Sequence, residues 1–170
     1  YKNDGFVIPF SAQVHSDKGE LLGVWVNFAD FGLVDTIVGY SRQDMLDKGM
    51  ADPDLMLFDA QGNQLVDYDP QNLDAQGNLK HDFENIILKK NFIALGVEAA
   101  KLAAEGKSGF TTEINPDSNE INIFAYDKSS GVYGYPGTGW LVLIGSDPDD
   151  VFSDVNNLAH MMIMVQVVIA

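Results

Sequence analysis

The order of the apolar segments in the last two thirds of the chain limits its fold more than any other feature of the sequence. Two short runs, 55–58 and 64–68, have strand character and are joined by a turn that contains Gly62. Residues 83–105 then carry apolar side chains at helical spacing, although Gly96 within them also allows two shorter helices. Three further strand-like runs follow, at 109–114, 120–127 and 140–145.

A chain with this order of segments folds most simply around an antiparallel sheet. The first two strands form a hairpin, the helical segment crosses over, and the last three strands form a meander. We therefore predict an α+β fold in which a five-stranded antiparallel sheet carries helices on one face.

The first fifty residues predict a separate hairpin and a helix. Residues 7–14 and 21–27 read as two strands around a turn at 16–20. Between Asp30 and Met50 the apolar residues change to helical spacing, and the pair Asp52-Pro53 ends the helix. This part of the chain thus precedes the sheet as a hairpin followed by a linking helix.

The chain is strongly acidic, with 25 Asp and Glu against 10 Lys and Arg and a formal net charge of −15. A field of this sign repels the phosphates of nucleic acids and the headgroups of anionic lipids. The composition therefore argues against a nucleic-acid-binding function.

The sequence contains no constellation of residues that is typical of an enzyme, a metal site or a cofactor site. It has no cysteine, which excludes disulfides, zinc thiolates and cysteine nucleophiles. The three histidines, His15, His81 and His160, lack the spacing of metal ligands. An EF-hand loop that started at Asp67 would need Gly and Glu where the chain has Asn72 and Asn78. We expect no catalysis and no bound metal or cofactor.

The last thirteen residues, Leu158 to Ala170, are almost wholly apolar. This run is shorter than the ~20 residues that a helix needs to cross a bilayer. A buried terminal helix and the first part of a transmembrane helix are the two interpretations, and the lack of a polar face favours the second. The acids between Asp147 and Asp150 are placed to begin this helix, where its dipole favours negative charge.

Three stretches of the sequence resemble the double-Cache family, the PAS-like extracytoplasmic sensor domains of bacterial chemotaxis receptors and sensor kinases. Residues 10–27, with FSAQV, a turn and GELLGVWVN, are similar to the closing hairpin of the membrane-distal module. Residues 57–63, LFDAQGN, are similar to the first hairpin of the membrane-proximal module. Residues 131–148, with Gly139-Trp140 and Asp147-Pro148, resemble the Gly-Trp strand that leads to the exit helix.

The resemblance implies a division of the chain into four parts. Residues 1–30 are then the C-terminal fragment of a membrane-distal module, and 31–53 are a linker helix. Residues 54–148 are the membrane-proximal PAS-like module, and 149–170 are an exit helix that runs into a truncated transmembrane segment.

The resemblance also implies a function. The chain is expected to be the periplasmic ligand-sensing domain of a transmembrane receptor, first of all a chemoreceptor, that signals through its C-terminal helix. One alternative is a structural relay module without a ligand, and another is the sensor domain of a histidine kinase or diguanylate cyclase. The expected partners are an amino acid, amine or organic acid, a second copy in a homodimer, and the membrane.

Aromatic residues near the end of the chain predict the ligand pocket. Tyrosine offers an apolar body with a hydrogen-bonding tip, which suits a small polar ligand, although packing in the core or in a hairpin is the alternative. A carboxylate after a tyrosine at the end of a strand can pair with the amino group of a ligand. We predict that two such strand ends converge at one mouth of the sheet, with the residues Tyr68, Asp69, Phe124, Tyr126, Asp127, Tyr133 and Tyr135.

Overall fold

A computed structural model describes residues 6–68, 73, 75, 79–131 and 133–153 of the chain. The N-terminal part consists of strands β1 (Val7–His15) and β2 (Leu21–Asp30) and helix α1 (Gly32–Asp47). The second part begins with β3 (Asp54–Phe58), β4 (Gln64–Tyr68) and α2 (Glu98–Ala104). It ends with β5 (Gly109–Ile114), β6 (Ile121–Lys128), β7 (Leu141–Ser146) and the short helix α3 (Pro148–Val151).

The strands form two sheets. β1 and β2 pair as a two-stranded antiparallel hairpin, and the other five strands pair in the order β4-β3-β7-β6-β5. Every neighbouring pair in the larger sheet is antiparallel. The predicted α+β class and five-stranded antiparallel sheet are therefore confirmed. β7 lies at the centre, which explains its unbroken apolar sequence, because both of its faces are covered.

The two faces of the five-stranded sheet have separate cores. One face, here called the α2 face, packs Met56, Phe58, Phe124, Leu141 and Leu143 against α2. The side of α2 that meets them is made of buried alanines, which let the helix lie close to the sheet.

The opposite face, here called the α1 face, packs Leu55, Leu57 and Val66 against Phe31 and Val38. α1 was predicted as a linker, and it covers part of this second face. The helix inside the sheet unit thus lies on one face, as predicted, while the linking helix lies on the other.

The predicted helix over 83–105 is largely wrong. Only Glu98–Ala104 is helical, and residues 83–95 form successive turns. Part of their backbone bonds to the β3–β4 hairpin: Gln64 N–H donates to Lys90 O at 2.9 Å, and Leu88 N–H donates to Gln64 O at 2.8 Å. Other amides of this segment bond within it, such as Lys90 N–H to Ile86 O at 3.0 Å. Leu88 has a φ of 58° and Gly96 a φ of 93°, both in the left-handed region that ends a helix.

The C-terminal part of the chain is described only as far as residue 153. Helix α3 lies at the start of the predicted exit helix 149–170, and the rest of that segment, with the apolar run from Leu158, lies outside the described residues. Among the described residues, no helix is long and apolar enough to span a membrane.

Candidate functional site

The two strand ends that were predicted to meet lie at opposite ends of the sheet. Tyr68 ends β4, and Asp127 lies at the end of β6. Because neighbouring strands are antiparallel and two strands separate β4 from β6, these two strands run in opposite directions. The expected convergence is thus not found. Asp69 lies outside the described residues.

The three predicted residues on β6 have different surroundings. Phe124 is fully buried in the core of the α2 face, and Tyr126 packs against the same core. Asp127 is exposed and accepts a hydrogen bond from the Ser108 hydroxyl at 2.7 Å. This bond, together with one from the Lys128 backbone, lowers the pKa of the Asp127 carboxyl.

The two predicted residues on the β6–β7 connection lie at the surface. Tyr133 is fully exposed and has a φ of 51°. Tyr135 is about half exposed, and its ring centroid lies 6.3 Å from that of Phe10 in β1. The structure therefore places Tyr135 near the N-terminal hairpin and Tyr133 at the surface. A role in ligand binding for any of these residues stays a prediction.

Side chains fill the space between the α2 face and the segment that covers it. Met56, Phe58, Phe92, Phe124, Leu141 and Leu143 are all fully buried there. The rings of Phe58 and Phe92 pack with their centroids 4.6 Å apart. In an interior packed in this way, protein atoms occupy the volume.

A polar cavity of about 420 Å³ lies at the end of the sheet where β4, β5 and β7 end and where β3 and β6 begin. We call it the acidic cavity. Five of its lining side chains are carboxylates, against one guanidinium, and the others are neutral. It is lined by Arg42, Asp52, Pro53, Asp54, Tyr68, Asn115, Ser118, Glu120, Asn122, Asp147 and Asp150.

Asp54 is the most perturbed carboxyl of this cavity. Its pKa is raised to about 6: burial is the largest cause, the nearby charges of Asp67 and Asp52 act in the same direction, and Lys90 and Arg42 oppose them. The Arg42 guanidinium pairs with Asp52, and its Nε donates to the Pro53 carbonyl at 3.0 Å. Arg42 thereby connects α1 to the first residues before β3.

Lys90 provides the second cation near Asp54. Its ammonium pairs with Asp117 in the β5–β6 turn and lies 5.5 Å from the centroid of the Phe92 ring. Burial lowers the pKa of Lys90, and the charges of Asp67 and Asp54 act in the opposite direction. Asn115 is buried beside this pair and accepts a hydrogen bond from the Asp117 amide at 2.9 Å.

The arrangement can attract cationic groups and exchange protons. Among the described residues, no group of three or more His, Asp or Glu side chains is placed to hold a metal ion. The site was not predicted from the sequence, because Asp52-Pro53 was interpreted only as a helix stop and Lys90 was placed within a helix. The one available signal was an aspartate on each side of Pro53, directly before an apolar strand.

A second buried polar pair joins α1 to residues 79–97, the crossover segment that leads from β4 to α2. His81 Nε2 lies 2.9 Å from Asp35 Oδ2, and both side chains are largely buried. The His81 ring packs among those of Phe6, Phe31 and Phe83. In the sequence, His81 was considered only as a metal ligand, and the spacing of the three histidines argued against that role. The structure gives it a role in attaching α1 to residues 79–83.

No protein-family model matches the sequence, and no curated protein matches it. Solved structures match its fold. The periplasmic sensory domain of the Campylobacter jejuni chemoreceptor Tlp1 aligns with a TM-score of 0.59 and 18% identity over 86% of this chain and 45% of its own. The extracellular domain of the putative histidine kinase mmHK1S-Z3 aligns with a TM-score of 0.60 and 15% identity over 92% and 50%. The extracellular domain of the putative histidine kinase mmHK1S-Z2 aligns with a TM-score of 0.54 and 16% identity over 86% of this chain and 47% of its own.

These matches confirm the predicted resemblance at the level of the fold. The chain has the fold of the extracytoplasmic sensory domains of chemoreceptors and histidine kinases. It spans about half of the length of the solved structures that it matches. The matched chains are the sensory domain of a chemoreceptor and the extracellular domains of putative histidine kinases.

Proposed function

We propose that this chain is part of the extracytoplasmic sensing region of a transmembrane receptor, a chemoreceptor or a sensor histidine kinase, and that its five-stranded unit relays a signal. The observation that carries the relay role is the filled interior of the α2 face, where Phe58, Phe92 and Phe124 are fully buried. A ligand enclosed between the sheet and α2 needs space that these rings occupy.

The hairpin then belongs to a separate, membrane-distal module. Its strand β2 exposes Leu22, Val24, Val26 and Phe28 on one face and Trp25 on the other. A two-stranded hairpin with two exposed apolar faces is marginal by itself, so these faces fit the core of a larger unit. Residues 1–30 are the proposed distal fragment, 31–53 the linker, 54–148 the relay module and 149–170 the segment that leads to the membrane.

Aromatic contacts connect the hairpin to the linker and to the relay module. Phe6, directly before β1, stacks on Phe31 with 4.2 Å between ring centroids, and Phe31 N–H donates to Phe6 O at 3.0 Å. Phe10 in β1 lies near Tyr135 in the β6–β7 connection, which continues into β7 and α3. A ligand bound in the distal module changes the position of α3 only if it binds two states of this assembly with different affinity.

We propose the partners that the resemblance implies. The proposed ligand is a small amino acid, amine or organic acid that binds outside the α2 face, in the periplasm or at the outer surface of the cell. The receptor acts as a homodimer and is attached to the membrane through residues 149–170.

The relay role is tested by nuclear magnetic resonance on the 170-residue chain. We expect Phe6→Ala to shift the amide resonances of β7 and α3, because Phe6 packs on Phe31 and thus on the core of the α1 face. The matched control is Phe28→Ala, since Phe28 is 69% exposed in the same hairpin. If both variants change only the resonances of the hairpin, the relay is refuted.

A thermal-shift screen against amino acids, amines, organic acids and calcium tests the absence of a ligand in the relay module. A ligand at 100 times its dissociation constant stabilises its protein by about 2.7 kcal/mol, roughly 5–10 °C for a chain of this size. We expect no such shift. A shift that Asp127→Ala abolishes would restore the predicted pocket, and one that Asp54→Asn abolishes would place the ligand in the acidic cavity.

A further inference from the structure

One edge of the five-stranded sheet is open. The crossover segment covers the outer edge of β4, where Gln64 N–H donates to Lys90 O and Gln64 O accepts from Leu88 N–H. β5 is the outermost strand at the other edge, and no described backbone group pairs with its outer side. We propose that this edge binds a second copy of the chain, with β5 antiparallel to β5 of that copy around a two-fold axis at Thr112.

The backbone of β5 has the phase that this pairing needs. Asn115, directly after β5, donates its N–H to Glu120 O at 2.8 Å and therefore points toward the β6 side. Because successive backbone groups of a strand alternate in direction, the N–H and C=O groups of Phe110, Thr112 and Ile114 point away from β6. Thr112 can then pair with Thr112 of the second copy, and Phe110 of each copy can pair with Ile114 of the other.

The side chains favour the same register. Phe110, Thr112 and Ile114 lie on the α1 face, because Phe110 pairs with Ala125, which pairs with Ile144 of that face. Phe110 is 74% exposed and Ile114 is 60% exposed. The pairing sets Phe110 beside Ile114 of the second copy and Thr112 beside its own copy. Aromatic residues paired with β-branched ones, and threonines paired with each other, stabilise an antiparallel sheet.

β5 lacks the features that usually keep a strand edge from pairing. Its sequence, GFTTEI, contains no proline, lysine or arginine, and its pairing with β6 has no bulge. Its one charged side chain, Glu113, lies on the α2 face and accepts hydrogen bonds from the amides of Glu98 and Ala99. In the proposed register Glu113 lies opposite Thr111 of the second copy, so the two strands can approach without like charges in opposite positions.

Symmetry and size make a second copy the occupant that fits this edge. A two-fold axis makes an antiparallel edge complementary to itself. The edge backbone and the exposed parts of Phe110, Ile114 and Ile121, in both copies, amount to roughly 1,000 Å², at the lower end for specific interfaces. The net charge of −15 opposes the approach of two copies, so we expect a dimer of modest affinity that becomes tighter as salt screens this repulsion.

The inference gives a surface to the homodimer of the proposed function and rests on that part of it. The relay role is tested by resonance shifts in β7 and α3, whereas this inference is tested by self-association. The two can therefore fail separately.

The register is tested by disulfide cross-linking, because the chain has no cysteine of its own. Cα atoms of a hydrogen-bonded antiparallel pair lie about 5.5 Å apart, within the range that a disulfide spans. We expect Thr112→Cys to form a covalent dimer under mild oxidation. Phe110→Cys alone should not, because its two copies are offset by four residues, about 14 Å, along the strands. A mixture of Phe110→Cys and Ile114→Cys should cross-link. No dimer with Thr112→Cys, or equal cross-linking of Thr112→Cys and Phe110→Cys, would refute the register.

The interface is tested by sedimentation of the 170-residue chain. We expect a dimer at about 0.5 mM that becomes tighter as the salt concentration rises. Thr112→Lys places two lysines opposite each other at the axis and should weaken the dimer roughly fivefold, and Thr112→Glu should act likewise. An equimolar mixture of these two variants should restore the dimer, which also shows that both are folded. Ser130→Lys, at an exposed position of the β6–β7 connection, is the charge control and should dimerise like the unsubstituted chain.

Two outcomes of the sedimentation experiment would overturn the inference. A chain that stays monomeric at about 0.5 mM would leave the β5 edge to a strand of a different protein. A dimer that neither Thr112→Lys nor Thr112→Glu weakens would use another surface, and the homodimer of the proposed function would then stand without this interface.

Discussion

Helix α2 depends on a carboxylate that comes from a different part of the chain. Glu113 in β5 accepts hydrogen bonds from the backbone amides of Glu98 at 2.7 Å and Ala99 at 2.9 Å, and from the Thr111 hydroxyl at 2.6 Å. The residue before the helix, Val97, provides no side-chain cap. Because the first amides of a helix have no partner within it, Glu113 satisfies two of them and places a negative charge at the positive end of the helix dipole.

The substitution Glu113→Ala should therefore destabilise the fold well beyond an ordinary surface change. Loss of a helix cap costs about 0.5–2 kcal/mol, and loss of the favourable charge at the helix start costs about 0.3–1 kcal/mol. We expect the free energy of unfolding to fall by about 2 kcal/mol and the melting temperature by roughly 4–8 °C. Glu113→Gln keeps one acceptor oxygen without the charge and should lose about half as much.

The assay is urea and thermal denaturation of the 170-residue chain, followed by circular dichroism. Glu84→Ala is the matched control, because Glu84 is exposed in a turn, and it should change the free energy of unfolding by less than about 0.5 kcal/mol. If Glu113→Ala and Glu84→Ala have the same effect within that margin, the capping argument is wrong.

Three further predictions concern the core, one glycine and pH. Phe124→Ala should cost about 3–5 kcal/mol of unfolding free energy because Phe124 is fully buried. Phe110→Ala, at a 74% exposed position, should cost less than about 0.5 kcal/mol, and equal losses would contradict this assignment of the core. Gly62→Ala should lower the free energy of unfolding by about 2 kcal/mol or more in chemical denaturation, because φ is +86° and the new Cβ would lie 2.7 Å from Ile93 Cγ1. The control is Gly106→Ala, which has a similar φ but no neighbour within 4 Å and should lower it by about 1 kcal/mol. Asp54→Asn should raise the unfolding free energy at pH 7.5 by about 3 kcal/mol, which is the free energy that corresponds to a pKa rise from 3.8 to about 6. Near pH 3.5 it should have little effect, because Asp54 is then largely protonated in the folded chain. A gain that does not depend on pH would contradict this link between the pKa of Asp54 and stability.

The strands were predictable because their signals are local. The run 109–114 was predicted with the bounds that β5 has, and β7 differs from its prediction by one residue at each end. Alternation, continuous apolar runs and turn residues such as Gly62 act within a few positions of each other. The order of these strands then leaves few compact antiparallel arrangements, so the five-stranded sheet followed from the sequence as well.

The crossover segment was not predictable in the same way. Its apolar residues recur at helical spacing, but Phe92 and Ile87 fill the core from a succession of turns. Some of the backbone bonds that a helix would make within itself go instead to Gln64 and Gly62, which are about 25 to 30 residues away in the sequence. Local periodicity contains no information about that competition between partners.

Short-range apolar patterns and turn chemistry encode the strands, the fold class and the resemblance to extracytoplasmic sensor domains, so these features could be predicted from the sequence alone. Only the tertiary structure decided which polar groups meet. Strand direction separates the end of β4 at Tyr68 from the end of β6 at Asp127. The packing of α1 and of the segment between β4 and α2 brings the charges of Arg42 and Lys90 near Asp54. Burial, which raises the pKa of Asp54, and the cap of α2 by Glu113 both depend on distances through space, and these exist only once the sheet has formed.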